Sequence, residues 1–411
     1  MTNMTENKVF WAPLWHIYQP PVQTKEWLVK VADESYRQII KIYSEFPESK
    51  FTLNINGSLT QLLMDHELWN VIEGFKKLAE NGQLEFVSTP CFHTICPLLL
   101  EKEIIRQIKI NDKINKKAFG ESYKPTGVWL PEMAYSPDII PALKKAGYEW
   151  ISLAGVASNG KWTNKGFYTV SKGKYKIKVI FRDDVVSLNI GFGRTDSNFV
   201  DELSKNKGTY CFTALDGETI GHHVPDMVEG MRKTLEKIHQ NPDVMTLNCS
   251  DIFKKFEYLG EVDAFPSSWS TTYEDIKAGN YFPLWLEKNQ EPFRSVHKLA
   301  WDHLKLLINA SDTIESRING NKTTRKQFNN IRGLVDKSQY SCMYWWFTRD
   351  KWHRVAPRFL AGIEMQSKAF NKLQRISEKD KKIEKIIDKA SEIRGEIYNK
   401  MNNFYYSSES N

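Results

Sequence analysis

Apolar positions along this chain follow two rhythms. Short runs that are apolar almost throughout occur at residues 9–15, 51–55, 84–88, 127–130, 150–153, 176–181, 210–215 and 262–265. They are bounded by turn-forming residues and read as buried strands. Between most of them apolar residues recur three and four apart, as on one face of a helix. Residues 136–145, with Pro137 in the first turn where proline is tolerated, and 226–240 are the clearest cases. Strand–helix alternation predicts an α/β fold with a parallel sheet. Seven or eight strands before Trp285 suit a closed barrel better than two domains. Beyond Trp285 the strand pattern stops. Phe293, Val296, Leu299, Ala300, Leu304, Leu307 and Ile308 recur at helical spacing, as do Ile383, Ile386, Ile387, Ala390, Ile393, Ile397 and Met401. The expected organisation is a barrel over 1–285 and a helical C-terminal domain over 286–411, ending in a frayed tail, "YYSSESN".

Composition removes several classes. The chain of 411 residues is 41% hydrophobic and 26% charged, as in ordinary globular proteins. The net charge is +7, but the excess lies late, in runs such as Lys379-Asp380-Lys381-Lys382 that suit a solvated helix face. No basic helix reads as a groove reader and no zinc-finger spacing occurs, so nucleic acid is not an expected partner. The start, "MTNMTENKVF", has no signal-peptide core, and no apolar run is long enough to span a membrane. Cys91, Cys96, Cys211, Cys249 and Cys342 are odd in number and scattered, which suggests reduced thiols in the cytoplasm. Cys91 and Cys96 flank His93, but their spacing fits no standard zinc pattern. The load of 13 Trp and 17 Tyr is high. It fits either a large core or faces on which sugars or bases stack.

In a parallel α/β barrel the site lies at the C-terminal ends of the strands. The first run delivers His16, Tyr18 and Gln19 there, and the second Asn54 and Asn56. The third and fourth deliver His93 and Glu132. A ribbon near residue 180 gives Arg182 and Asp183. The next run gives Asp216, Glu218, His222 and His223, and the last Trp269. Each has a bland reading: a core histidine, a turn asparagine, a buried indole. Polar groups at every successive strand end are not something a purely structural sheet requires. Two carboxylates from different strand ends, set among aromatic, amide and imidazole groups, are the apparatus of glycoside cleavage. One carboxylate attacks the anomeric carbon and the other protonates the leaving oxygen. The pattern leaves open which does which, and Glu218 shares a face with Asp216 on an extended strand.

From about residue 9 to 346 the sequence resembles glycoside hydrolase family 57. "WHIYQPP" is similar to the family's first motif, and "GQLEFVSTPCFHTICPLL" to its second. "GVWLPEMAY" and "ALDGETIGHH" are similar to the third and fourth, and "SSWS" and "SQYSCMYWW" to the later Trp-bearing segments. The resemblance implies Glu132 as nucleophile and Asp216 as general acid/base. Substrate contacts would come from His16, Gln19, His93, Trp129, Arg182, His222, Trp269 and Trp346. It also implies an incomplete (β/α)7 barrel followed by a helical region. Family members are retaining enzymes of α-linked glucans and related oligosaccharides, some hydrolytic and some glycosyl-transferring, with no metal or other cofactor in catalysis. One position departs: Tyr18 stands where the first motif has its second His. A phenol donates a hydrogen bond but is larger and stays neutral, which points to a subgroup with its own donor sugar.

Two other readings are a metal-dependent polysaccharide deacetylase on a related barrel and a non-catalytic glycan-binding protein. His222, His223, Asp216 and Asp183 supply ligand types for the former. However, its first strand would end in a paired Asp-Asp, where His-Ile-Tyr-Gln stands here. The two-carboxylate reading predicts that turnover of an α-linked oligosaccharide survives exhaustive EDTA treatment. Loss of activity on chelation, restored by one specific divalent ion, points instead to the deacetylase.

Overall fold

The computed structural model describes residues 7–193, 198–318, 322–348, 352–377 and 380–408. Lys379 and residues 409–411 of the expected tail lie outside them. The chain divides into two compact units, Met1–Trp269 and Ser270–Asn411.

Ten strands occur among the described residues, all in the first unit: β1 (Val9–Ile17), β2 (Phe51–Ile55), β3 (Leu84–Val87), β4 (Gly127–Val128), β5 (Trp150–Leu153), β6 (Gly166–Lys172), β7 (Tyr175–Phe181), β8 (Tyr210–Asp216), β9 (Val244–Thr246) and β10 (Glu257–Glu261). They form two five-stranded sheets. One has the order β3-β2-β1-β8, with β9 beside the start of β1; the other runs β10-β6-β7-β5-β4. A parallel bridge between Ser88 and Val128 joins β3 to β4. On the opposite side the Asp183 N–H donates to the Phe212 carbonyl (2.9 Å), joining the end of β7 to β8. Seven parallel strands, β1, β2, β3, β4, β5, β7 and β8, thus make an incomplete (β/α)7 barrel. It is not one continuous ladder. β6 returns antiparallel to β7, the ribbon expected near residue 180.

β1 shows how the sequence builds this. Its nine residues, VFWAPLWHI, are all buried, so both faces must be covered, as in a parallel sheet flanked by helices. Successive side chains alternate between faces. Val9, Trp11, Trp15 and Ile17 join the core beneath the outer helices. Phe10, Ala12 and Leu14 join the barrel interior with Val87, Trp129, Trp150, Ile180, Phe212 and Ala214. The buried indoles on the outer face are satisfied: Trp11 Nε1 donates to Thr213 Oγ1 (2.9 Å) and Trp15 Nε1 to Tyr43 Oη (3.0 Å). His16 is next in the interior series.

One expected strand is corrected. Residues 262–265 are not a strand. The Val262 and Phe265 N–H groups bond to Thr169 and Ala157 carbonyls without a regular ladder. Pairing occurs just upstream, in β10, whose residues are mostly exposed. Its sequence, EYLGE, contains no apolar run to be read.

The second unit holds no strand among its described residues. Its long helices are Phe293–Glu315, Lys322–Lys337, Trp352–Ile376 and Lys381–Ser408. In the first, Phe293, Val296, Ala300, Leu304, Leu307 and Ile308 are buried, and in the last Ile383, Ile387, Ala390, Ile393, Ile397 and Met401, following the expected stripes. No helix among the described residues is long and apolar enough to cross a membrane.

Gly127 gives a direct test of the interior packing. A Cβ there would stand 2.1 Å from the ring of Trp150, which is itself buried and bonded through Nε1 to Thr126 Oγ1 (3.1 Å). Gly127→Ala is expected to lower stability by about 1–3 kcal/mol, the usual range for overpacking, read as a reduced midpoint in urea denaturation.

Candidate active site

β4 is two residues long, and the chain turns at Pro131–Met133 as soon as it leaves the sheet. Glu132 (φ 59°, ψ 17°) and Met133 (φ 49°) both lie in the left-handed region, which costs a non-glycine residue about 1–2 kcal/mol. Such conformations persist only where neighbours over-determine them. Here Met133 N–H donates to Leu130 O (2.8 Å) and Ala134 N–H to Pro131 O (3.0 Å). The returning segment 267–269 lies antiparallel across the turn. Ser267 exchanges two bonds with Tyr135 (2.8 and 3.1 Å), and Trp269 N–H donates to Glu132 O (3.1 Å). The same residue fixes the side chain: Trp269 Nε1 donates to Glu132 Oε2 (2.8 Å). The other oxygen lies 3.5 Å from His93 Nδ1. The Glu132 side chain is 15% exposed.

His93, also left-handed (φ 55°), sits in a pile of near-parallel rings. Tyr18 stacks on it at 4.2 Å and His16 at 4.8 Å, and Trp129 lies 5.4 Å from His16. His16 Nδ1 meets Asn54 Oδ1 at 2.7 Å. The carbonyl oxygen can only accept, so Nδ1 carries the proton. Burial, and next the neighbouring His16, hold His93 well below the ordinary histidine range. Burial also lowers His16, against the opposing pull of Asp216 and Asn54. Both rings are therefore neutral near pH 7.

His16 is in register with Asn54 on β2 and with Asp216 on β8. Two rings thus connect the strand end carrying Asp216 to the turn carrying Glu132. The Asp216 side of the rim is the wetter one, since β8 is buried along its length but exposed at Asp216. Glu218, two residues on, is buried. Its Oε1 accepts from Tyr36 Oη (2.7 Å), Tyr18 N–H (3.1 Å) and Gln19 Nε2 (3.3 Å). Burial, then the charge of Asp216, raises Glu218 to about 7.

The other expected residues divide. Arg182 is buried at the end of β7, 3.5 Å from Asp184 Oδ1. Burial lowers its proton affinity, against the charges of Asp184, Asp216 and Asp183. Asp183 caps the helix Asp184–Gly191 by accepting from Val186 N–H (3.0 Å). His222 Nδ1 lies 2.6 Å from Glu34 Oε2, and its ring meets Trp27 edge-on. Trp346 belongs to the second unit, where the Arg358 guanidinium lies 4.2 Å over its ring. Tyr36 and Glu34 also belong here, though the sequence does not mark them. They lie in an unremarked polar stretch, and no local signal joins them to a loop some 180 positions away. Among the described residues no group of three or more His, Cys, Asp or Glu side chains could hold a metal ion.

Residues 5–264 match glycosyl hydrolase family 57. An alpha-amylase 1 from Dictyoglomus thermophilum is 27% identical over 214 residues, covering 50% of this chain and 31% of that protein. A 4-alpha-glucanotransferase from Thermococcus litoralis is 26% identical over 137 residues, 33% of this chain and 20% of that one. The matches span less than a third of these curated relatives. The crystal structure of a GH57-type branching enzyme from Pyrococcus horikoshii aligns with a TM-score of 0.71 at 15% identity, over 96% of this chain and 95% of that one.

The neutral histidines make stability depend on pH. A histidine whose folded value is depressed binds its proton more readily when unfolded. Its contribution is fully present above the ordinary value of 6.5 and is lost as pH falls toward the folded value, at about 1.4 kcal/mol per pH unit. Between pH 7 and pH 5 the denaturation midpoint of the wild type is expected to fall further than that of His93→Gln. Equal falls would mean that His93 protonates freely in the folded state.

Proposed function

The chain belongs to glycosyl hydrolase family 57, and from that premise we propose that it cleaves α-linked glucans or oligosaccharides with retention, by double displacement. Glu132 attacks the anomeric carbon while Asp216 gives its proton to the departing glycosidic oxygen. Asp216, now ionised, then takes a proton from water or from a sugar hydroxyl, and that oxygen displaces Glu132 from the glycosyl-enzyme. The observation that carries this reading is the fixing of the Glu132 carboxylate by an indole N–H at the end of a barrel strand, in a turn that alone is unfavourable. A nucleophile gains from being held in one attacking position. The exposure of Asp216 supports its part, since an acid/base must exchange protons with an incoming acceptor.

The names of the two curated relatives, an amylase and a glucanotransferase, support α-linked glucose polymers as the substrate class. Trp129 Nε1 and Arg182 Nε are buried without hydrogen-bond partners among the described residues. They remain as donors for a sugar hydroxyl or an ordered water. Trp269, 44% exposed, offers a stacking face while its N–H holds Glu132. Tyr18 lies against His93, where its bulk shapes the donor sugar's surroundings. The deeply buried thiols of Cys96, Cys211 and Cys249 suit a reducing compartment, and we place the enzyme in the cytoplasm.

Azide rescue tests the two roles. Glu132→Ala is expected to lose turnover even on substrates with good leaving groups, and azide should restore reaction with a product of inverted configuration. Asp216→Ala should lose most on poor leaving groups and least on activated aryl glycosides. Azide should intercept its covalent intermediate and give a retained product. Retained azide product from the Glu132 variant overturns the nucleophile assignment.

A further inference from the structure

Residues Ala32–Tyr36 form a π-helical turn between the helices Lys25–Val31 and Arg37–Glu45. Turns of this kind are rare and gather at functional sites. This one docks on the loop that follows Asp216. Ser35 Oγ donates to Gly217 O (2.9 Å), Tyr36 Oη donates to Glu218 Oε1 (2.7 Å), and Glu34 Oε2 meets His222 Nδ1 (2.6 Å). Gly221 (φ 95°) approaches so closely that a Cβ would stand 1.9 Å from the Glu34 carbonyl oxygen. Glu218 Oε1 also accepts from Tyr18 N–H and Gln19 Nε2, on the rim segment that follows β1. One buried oxygen therefore ties three separate stretches of chain together, immediately beside an exposed carboxylate.

We propose that Glu218 is a positioning residue for Asp216: its buried side chain fastens the loop 217–223 to the Tyr18–Gln19 rim and to the π-helical turn, and so holds Asp216 at one place. The proposal rests on the reading of Asp216 as acid/base. It gives Glu218 no proton to transfer to substrate, because its Oε1 is occupied by three donors and its side chain is buried.

The test uses the full chain and three variants: Glu218→Gln, Glu218→Ala and Tyr36→Phe. Each is assayed on a malto-oligosaccharide and on an activated aryl α-maltoside, and each is followed by hydrogen–deuterium exchange. Gln keeps an acceptor oxygen where Oε1 stands, so its kcat is expected to stay within about fivefold of wild type. Ala removes the anchor. Its kcat is expected to fall about 100-fold with little change in KM, equally on both substrates, the scale of loss that misplacement of a catalytic group produces. Amide exchange in 32–36 and 217–223 should quicken in Glu218→Ala, quicken less in Tyr36→Phe and stay unchanged in Glu218→Gln. Gln and Ala variants that are equally disabled, with the aryl substrate spared, make Glu218 the acid and overturn the proposal. Unchanged exchange in the Ala variant overturns it too. If the wild type turns over no α-glucan, the functional reading fails, while the exchange comparison still decides whether Glu218 fastens the loop.

Discussion

The arrangement of the site follows from one constraint: a carboxylate must be fixed at a point without being neutralised. Glu132 is held by an indole N–H and lies beside an imidazole that burial keeps uncharged. A lysine or arginine in either place would hold it as firmly, but would stabilise the anion and so blunt the nucleophile that the proposed mechanism requires. Keeping His93 neutral is what the ring pile accomplishes. Tyr18 at 4.2 Å and His16 at 4.8 Å help to bury its ring, and His16 is the second cause, after burial, that lowers it.

This pile depends in turn on the two-residue period of the strands. The interior series of β1 runs Phe10, Ala12, Leu14, His16, and that of β8 runs Tyr210, Phe212, Ala214, Asp216. In both the apolar members fill the barrel and the polar one comes last. A one-residue slip would bury Trp15 where His16 stands and turn every functional group toward the outer helices. The strand core and the site are thus the same geometric fact at different heights in the barrel.

Much of this could be read from the chain because strands announce their ends. Glu132 and Asp216 stand out as carboxylates where apolar runs stop, and His16 because an imidazole closes an otherwise apolar strand. What depends on contacts between distant segments could not be read. Trp269 presented itself as a stacking face. Its bond to Glu132 needs segment 267–269 to return across the turn after β4, which no local pattern encodes. Tyr36 and Glu34 sit in a stretch whose widened helical turn has no sequence signature. β10 is hidden in the sequence because an exposed edge strand carries no apolar run, and residues 262–265 resemble a strand because they carry one without pairing.

The two seams of the barrel carry a mechanical consequence. Glu132 follows β4 and so belongs to one sheet; Asp216 ends β8 and belongs to the other. The sheets meet at the Ser88–Val128 bridge on one side and at the Asp183–Phe212 hydrogen bond on the other. The gap between the carboxylates is therefore set within neither half-shell. It is set where the half-shells are joined, by those backbone bonds and by the interior side chains that the two sheets share. Because Phe10, Ala12, Leu14 and Val87 of one half-shell pack with Trp129, Trp150 and Ile180 of the other, a change at either seam is felt by both carboxylates at once.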